Sequence, residues 1–591
     1  MQHTQLLSTA FAHHQAGRPE QAEPIYRQIL AAEPAQPDAL HLLGVLCLQS
    51  GRGDEAIELL SRALAARPNH ADTANHLGAA YGMQKRYDEA VSVLRRAVTA
   101  APQDAGAHYN LGTALRNAGK LDEAVTSFRH AVAANPHAAE AHYNLGNTYR
   151  ELKKLNEAEI SFRHALAARP NYLKAMINLG SLLRDRKQYP ESIALLEQAV
   201  ALAPDHALAH MNLGTVLRDA RQFDKALAPL ERAVQLNPES AEAHNNLGTA
   251  LQSLARFDEA GRCYDEALRL DPDLADAHFS RATWRLRNGD LAGGFEEYEW
   301  RWKCATFSDR GFPQPRWQGE PLDGRKVLLY GEQGMGDTLH FVRYAENAKR
   351  LGGHVIVECH EPLLAVLRGC PWIDELIPFN TPLPQFDTHA PLLSLPGILK
   401  LPEGRLWNGP YLTIGGDLVE QWRARLREFE GFRVGICWQG NPNHLFDAQR
   451  TVPLSTFEPL ARVPGVRLFS LQYGVPVDAA ARAEQGVDFE VIDVQAEYDQ
   501  QRGAFVDAAA VMKNLDLVVT VDTVVAHLAG GLGVPTWVAM SAHPDWRWML
   551  DREDSPWYPS VRLFRQSELD RWDDVFARMA SRLTDLASTK P

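Results

Sequence analysis

The feature that most constrains this chain is a 34-residue period that runs through its first half. The dipeptide Leu-Gly recurs at this constant interval, with its leucine at Leu43, Leu77, Leu111, Leu145, Leu179, Leu213 and Leu247. Proline keeps the same interval at Pro34, Pro68, Pro102, Pro136, Pro170, Pro204, Pro238 and Pro272. Because a fixed period of roughly 20–50 residues marks stacked supersecondary units, we predict a repeat array.

Small residues recur within each period and let two antiparallel helices approach closely, while large side chains such as Leu115 and Phe128 fill the remaining space. The proline ends the second helix, since the residue before a proline disfavours the α conformation. The pattern resembles the tetratricopeptide repeat, a 34-residue helix-turn-helix. We predict eight full repeats and a degenerate, capping ninth, which form an α-solenoid over residues 3–302. Such arrays stack into a superhelix with a concave face.

Five repeats carry an asparagine directly before Leu-Gly, at Asn110, Asn144, Asn178, Asn212 and Asn246. An amide side chain both donates and accepts hydrogen bonds, so a column of asparagines is able to hold an extended chain by its backbone. The alternative is that these amides satisfy neighbouring helices. The array resembles that of eukaryotic O-GlcNAc transferase, which implies that the column binds a protein or peptide acceptor in the concave face.

The repeat pattern ends in a cluster of aromatic residues, Phe295, Tyr298, Trp300 and Trp302. We expect them to cap the solenoid and to pack on the next domain, because terminal repeats need a cap. The following segment, 303–324, is rich in proline and is predicted to be a linker. An α/β domain is predicted over 325–591.

Two segments of this domain read as a strand, a glycine-bearing loop and a helix. The first loop contains Gly331, Gly334 and Gly336 and leads to a helix expected from Thr338. Strand and helix alternate in two successive halves, about 325–430 and 431–591, which predicts two doubly wound sheets with a ligand site in the cleft between them. The glycine order, Gly-x-x-Gly-x-Gly, is the reverse of the dinucleotide fingerprint and disfavours a dinucleotide site.

A third segment reads as a buried strand followed by a helix N-terminus at Asp522 and Thr523, with His527 one turn further on. Free backbone amides at a helix N-terminus suit phosphate oxygens. The alternative is ordinary capping and a packed histidine.

The stretches Gly336-Asp337-Thr338-Leu339-His340 and Val521-Asp522-Thr523 with Ala526-His527-Leu528 resemble the bacterial heptosyltransferases of glycosyltransferase family 9. The resemblance implies a GT-B-like fold of two Rossmann-like halves and an inverting, metal-independent transfer. This chain departs from the family at Val524, where the family often has glycine, and in its repeat array. Over the whole chain, the sequence resembles bacterial glycosyltransferases fused to tetratricopeptide repeats.

The resemblance also implies roles for single residues. Asp337 is the expected catalytic base, and Asp522, Thr523 and His527 are expected to contact the donor diphosphate. Arg450 stands where the family has a lysine and is able to hold phosphate bidentately. Trp438 and Asn441, on the loop of the second half, are expected to shape the donor pocket.

Composition narrows the choice of partners. The formal net charge of −13 disfavours broad nucleic-acid binding, which needs a basic face. The six cysteines form no Cys-x-x-Cys pair, and neither a secretory signal nor a membrane span is evident, so we expect a cytoplasmic protein.

These observations predict a glycosyltransferase that transfers a sugar, with inversion, from a nucleotide-sugar to a hydroxyl of a protein acceptor selected by the repeats. No cofactor is expected besides this donor substrate. One alternative is a lipid-linked or polysaccharide acceptor. The other is a non-catalytic repeat scaffold with a degenerate transferase domain.

Overall fold

The structure, a computed structural model, describes residues 2–407, 409–440, 447–475, 477–478, 481–482, 486–569 and 571–589. The chain forms two compact units, Met1–Pro238 and Glu239–Pro591. Asn441 lies outside the described residues. None of the described helices is long and apolar enough to cross a membrane.

The first unit consists of helices α1 to α14, which follow the 34-residue period. Their bounds are Gln2–Gln15, Pro19–Ala32, Pro37–Gln49, Gly53–Ala66, Ala71–Met83, Tyr87–Ala100, Ala105–Asn117, Leu121–Ala134, Ala139–Glu151, Leu155–Ala168, Leu173–Asp185, Tyr189–Leu202, Ala207–Asp219 and Phe223–Leu236. Every second helix of a pair from α2 onward ends two residues before the periodic proline, as the sequence predicts.

Close approach of paired helices explains the glycine of the Leu-Gly dipeptide. A Cβ atom added to Gly112 would lie 2.8 Å from the ring of Phe128, and one added to Gly146 would lie 2.7 Å from the ring of Phe162. Both rings are fully buried. The large side chain of the second helix therefore occupies the space that only a glycine on the first helix leaves open.

The second unit begins with four more helices on the same period, α15 to α18, at Ala241–Ser253, Phe257–Leu270, Ala275–Arg287 and Leu291–Tyr298. A short 3-10 helix, Glu299–Lys303, follows. The last pair lies where the degenerate ninth repeat is predicted. Of the aromatic cluster, Phe295 and Tyr298 are buried and contact the ring of Trp546 in the α/β region.

Among the described residues, nine strands follow and form two sheets in which neighbouring strands are parallel. The first sheet contains β1 to β4, at Lys326–Tyr330, His354–Cys359, Glu375–Pro378 and Thr388–Pro391, in the order β3-β2-β1-β4. The second contains β5 to β9, at Phe432–Cys437, Val466–Ser470, Leu517–Val521, Thr536–Met540 and Val561–Arg565, in the order β6-β5-β7-β8-β9.

Helices alternate with these strands. Their bounds, α19 to α28, are Met335–Phe341, Ala345–Arg350, Leu364–Leu367, Leu395–Ile398, Gly416–Leu426, Asp447–Arg450, Glu458–Ala461, Val506–Met512, Val524–Leu532 and Asp573–Ser588. Short 3-10 helices lie at Val342–Tyr344, Glu361–Leu363, Leu392–Ser394, Glu403–Arg405, Leu454–Phe457, Gln495–Glu497, Gln500–Arg502 and Trp546–Trp548.

The strand orders locate the expected ligand sites. In the first sheet, the chain order reverses between β1 and β4, and in the second sheet it reverses between β5 and β7. Ligands of open parallel sheets bind at such switch points, beyond the carboxyl ends of the strands. The loops that follow β1, β5 and β7 are the three loops singled out in the sequence.

The segment 303–324 differs from the predicted linker because it packs against the first sheet. Trp317 and Leu322 are fully buried, and the Trp317 amide donates to the His389 carbonyl at 2.8 Å. The hydrophobic core in which they lie also contains Leu286 and Phe295 of the last repeat. The boundary predicted between the repeats and the α/β domain stays a prediction.

Candidate functional site

A cavity of about 900 Å³ lies within the second unit, where the loops after β1, β5 and β7 meet. The predicted residues that line it are Gly334, Gly336, Asp337, Arg450, Asp522, Thr523 and His527. Helices α15 and α17 of the repeats contribute further lining residues, among them Gln252 and Arg287. Residues from the loops of both sheets and from the repeats therefore line the same cavity.

The first loop is held in place by the end of the repeat region. Arg301 is fully buried, and its Nε donates to Glu332 Oε1 at 3.0 Å. Its Nη2 donates to Ser394 Oγ at 2.7 Å. Gln333 Nε2 donates to the hydroxyl of Tyr298 at 3.1 Å. These bonds fix the loop that presents Asp337.

Asp337 lies in the first turn of α19 rather than before it. The predicted start at Thr338 is wrong, since the helix begins at Met335. The Asp337 carboxylate accepts a hydrogen bond from the Gly334 amide at 3.0 Å and so closes the first turn. Its other oxygen, Oδ1, forms an ion pair with Nη2 of Arg547. Asp337 thus caps its helix and lines the cavity at once.

Helices α19 and α27 pack together, and Gly336 sits where they meet. A Cβ atom at Gly336 would lie 2.9 Å from Cδ2 of His527. Gly334 is different, because its added Cβ would lie no closer than 3.5 Å, to Asp337 Oδ2. The two glycines of this loop therefore serve different purposes, and Gly336 is the one that helix packing requires.

Thr523 is the N-cap of α27. It is one of the two residues at which the sequence predicts the N-terminus of this helix. Its Oγ1 accepts from the Val525 amide at 3.3 Å. Asp522 precedes it at the end of β7, and burial and the nearby carboxylate of Asp545 raise the pKa of Asp522 to about 6. The helix ends at Gly533, whose φ of +71° gives the left-handed cap expected of a glycine.

His527 is buried and neutral at physiological pH, because burial and then the guanidinium of Arg547 lower its pKa to about 3. Its Nδ1 lies 3.0 Å from the hydroxyl of Tyr558, and its ring stacks on Trp548 with centroids 5.4 Å apart. Toward a ligand, His527 is therefore suited to donate a hydrogen bond rather than to supply a positive charge.

Arg547 and Asp545 form a charged pair that the sequence reading missed. Arg547 Nη1 donates to Asp545 Oδ1 at 2.8 Å, and the guanidinium lies 4.4 Å from the centroid of the Trp546 ring. Burial alone would lower the pKa of Arg547, but Asp337 and Asp545 raise it above its usual value. The segment that carries both residues follows the carboxyl end of β8, and this position is the signal that would have pointed to them.

Other predicted residues have different positions. Arg450 lines the cavity, and its Nε donates to Asp447 Oδ1 at 3.1 Å. Trp438 lies in the second hydrophobic core and is not part of the cavity lining. Gly331 is likewise outside the lining, and its added Cβ would lie 2.9 Å from Thr338 Oγ1.

Comparison with known proteins bears on the repeats. Tetratricopeptide-repeat families match residues 13–79 and 83–127, 109–172, 172–239 and 241–274. The N-terminal part of this chain is a tetratricopeptide repeat array. The prediction of tetratricopeptide repeats is thereby confirmed, and matched repeats occur in each of the two units.

Several known proteins are similar to parts of this chain. Protein FlbA of Caulobacter vibrioides is 29% identical over 345 residues, which cover 53% of this chain and 55% of FlbA. This chain thus spans about half the length of that relative. The solved structure of MamA from Desulfovibrio magneticus RS-1, from residue 41 to the end, is 25% identical, with a TM-score of 0.27 over 29% of this chain and 96% of that one. The Cut9–Hcn1 hetero-tetramer of APC/C is 20% identical, with a TM-score of 0.35 over 47% of this chain and 55% of that one.

The asparagine column of the tetratricopeptide array is half-buried and partly engaged between repeats. Asn144 Nδ2 donates to the Tyr109 hydroxyl at 3.0 Å, and Asn178 Nδ2 donates to the Tyr143 hydroxyl at 3.1 Å. Asn110 Nδ2 donates to Asn75 Oδ1 at 2.8 Å. Asn212 and Asn246 are half-buried as well. Asn178 Nδ2 also donates to Asn147 Oδ1 at 2.8 Å. Because an amide offers two donors and an acceptor, the bonds described here leave the carbonyl oxygens of Asn110, Asn144 and Asn178 for a ligand.

Proposed function

We propose that this protein is an inverting glycosyltransferase that moves a sugar from a nucleotide-sugar to a hydroxyl of a protein acceptor. The observation that carries the proposal is the cavity at which the switch points of both parallel sheets meet. Two Rossmann-like halves with a shared cleft correspond to the GT-B-like fold, which is part of the proposal.

The chemistry of the cavity lining fits a diphosphate leaving group. Arg450 and Arg547 supply guanidinium groups, which pair well with phosphate oxygens. The N-terminus of α27, capped by Thr523, adds a helix dipole that favours negative charge. The neutral imidazole of His527 adds a hydrogen-bond donor. Together these groups would stabilise the charge that develops on the departing phosphate.

Asp337 is the proposed base. Its carboxylate lines the cavity from the first turn of the helix that follows β1. It would take the proton from the acceptor hydroxyl as that oxygen forms its bond to the sugar. The bond from the sugar to the diphosphate then breaks on the opposite face, which inverts the anomeric centre.

The tetratricopeptide repeats are proposed to select the acceptor. Their half-buried asparagines would hydrogen-bond to the backbone of an extended polypeptide, whatever its sequence. Recognition of the backbone alone would leave the choice of hydroxyl to the transferase site.

One observation favours a non-catalytic scaffold instead. The Asp337 carboxylate is engaged by both the Gly334 amide and Arg547, and each contact favours an ionised, weakly basic group. An anionic donor that draws Arg547 away would free the carboxylate. Asp337 can therefore act as a base only after the donor has bound and drawn Arg547 away from it.

The proposal is tested by mixing the purified full-length chain with a panel of nucleotide-sugars and measuring both the melting temperature and donor hydrolysis. A bound donor stabilises the folded unit by mass action, by about 2.7 kcal/mol at one hundred times its Kd. We expect one nucleotide class to raise the melting temperature and to be hydrolysed slowly. If no nucleotide-sugar does either at millimolar concentration, the scaffold is the better account.

A further inference from the structure

The last tetratricopeptide repeat places a charged side chain in the cavity. Arg287, the final residue of α17, is 9% exposed and lines the cavity. Its Nε donates to the Pro544 carbonyl at 3.2 Å, and its guanidinium lies 5.3 Å from the centroid of the Phe257 ring. Its Nη1 is buried and has no hydrogen-bond partner within the part of the chain that the structure describes.

An arginine at this position is peculiar to the last repeat. The first helix of every preceding pair from α3 onward ends at the same point of the period, on a neutral or acidic residue. These residues are Gln49, Met83, Asn117, Glu151, Asp185, Asp219 and Ser253. The repeat scaffold itself therefore does not require an arginine there, and this one meets the α/β region.

A buried, incompletely paired guanidinium costs stability unless something compensates for it. The carboxylate of Asp545 favours the charged form of Arg287, but it already accepts a hydrogen bond from Arg547 Nη1. Burial lowers the pKa of Arg287, although Asp545 acts in the opposite direction. Arg287 and Arg547 thus share the charge of one carboxylate, and both line the same cavity.

We infer that Arg287 binds a phosphate group of the cavity's ligand together with Arg547, so that the tetratricopeptide array contributes directly to the anion site. The ligand class is a pyrophosphate or nucleoside diphosphate. In the natural ligand, this group would be the diphosphate of the sugar donor. That identification rests on the proposed function. The site then links the repeats to the cavity's ligand through a charged side chain.

A purely structural role for Arg287 makes the opposite prediction for stability. If the guanidinium holds α17 against Pro544, the substitution Arg287→Met lowers the melting temperature. If it is an anion ligand held at a cost, Arg287→Met leaves the melting temperature unchanged or raises it, since methionine fills similar space without a buried charge.

The test measures pyrophosphate binding to the full-length chain by calorimetry, for the wild type, Arg287→Met, Arg287→Lys and Arg285→Met. Arg285 is a matched control because it lies on the same helix, pairs with Glu297 at 3.4 Å and does not line the cavity. Arg287→Lys keeps the charge and serves as the second variant if the methionine variant does not fold.

We expect Arg287→Met to raise the Kd of pyrophosphate by about 10- to 100-fold, as for loss of a charged hydrogen bond. The lysine variant should show a smaller increase, and the Arg285 variant none. An unchanged Kd in the Arg287 variants, or no pyrophosphate binding by the wild type, overturns the inference. Binding without any sugar transfer contradicts the proposed function and leaves the anion site standing. Transfer with an unchanged donor KM in Arg287→Met contradicts the anion site alone.

Discussion

The guanidinium of Arg547 forms an ion pair with the carboxylate of Asp337 and joins the loop after β8 to the first turn of α19. The Arg547 side chain is 8% exposed and that of Asp337 is 17% exposed, so this pair is largely shielded from water. Asp337 is therefore a structural residue of the second unit as well as the proposed base. Any substitution there changes stability and chemistry together.

Asp337→Asn should lower the free energy of unfolding of the second unit by about 1–3 kcal/mol. Asparagine still caps the helix, but Arg547 loses one of its two carboxylate partners while it stays buried. All thirteen tryptophans lie between Trp284 and Trp572, so urea unfolding followed by tryptophan fluorescence reports on this unit alone.

The double variant Asp337→Asn with Arg547→Met provides the control for this prediction. Because it removes both partners, its loss should be smaller than the sum of the two single losses. Additive losses would show that the ion pair contributes nothing to stability.

Gly336→Ala should destabilise the second unit by about 1–3 kcal/mol, the usual cost of overpacking, because its Cβ would lie 2.9 Å from His527. Gly334→Ala is the matched control in the same loop. Its φ of −68° suits any residue, and its Cβ meets only ordinary contacts, so a change within about 0.5 kcal/mol is expected. Equal effects of the two substitutions in urea unfolding would contradict the packing role of Gly336.

The helices and strands of this fold follow from local sequence patterns, whereas the residues of the cavity are brought together by long-range contacts. The 34-residue period predicts the helix pairs, and the strands Lys326–Tyr330 and Leu517–Val521 occur as predicted. Helices and strands are predictable because they depend on residues that are neighbours in the sequence. The start of α19 was missed because the Gly334 cap depends on the Asp337 side chain. Arg287 and Arg547 were missed because their meeting depends on how distant segments pack, which no local motif records.

Substituting Asn144, Asn178 and Asn212 together with alanine should weaken the binding of extended polypeptide by at least several-fold. Each lost hydrogen bond contributes about 0.5–1.5 kcal/mol. The measurement is the affinity for peptides that the wild type selects from a library of unstructured, serine- and threonine-containing sequences. Nucleotide affinity should stay unchanged.

The tyrosine partners supply the control for the asparagine column. Tyr109→Phe and Tyr143→Phe remove the bonds to Asn144 and Asn178 but keep the amides. These variants should lose some thermal stability and should keep peptide affinity. If the asparagine and tyrosine variants behave alike, the amides only join neighbouring repeats.

The stability of the second unit should depend on pH through Asp522. The folded-state pKa of about 6 lies above the usual value of 3.8, so the folded state holds this proton more tightly than the unfolded state. The contribution of Asp522 to stability is therefore highest below pH 4 and declines as pH rises to about 6. Asp522→Asn should match the wild type at pH 4 and exceed its stability by about 1–3 kcal/mol at pH 8. A difference that does not change with pH, measured by tryptophan fluorescence in urea, would contradict this assignment.

Transfer of isotope-labelled sugar is the measurement that tests the central claim most directly. The full-length wild type and Asp337→Asn are incubated with labelled nucleotide-sugars and with the peptides that the repeats select, and label on the peptide is counted. We predict transfer by the wild type and a rate lower by about 10²–10⁴ in Asp337→Asn, the scale of general-base loss. Nucleotide binding should be retained in the variant. Equal rates in the two proteins would remove Asp337 as the base, and no transfer by the wild type from any donor would contradict the glycosyltransferase function itself.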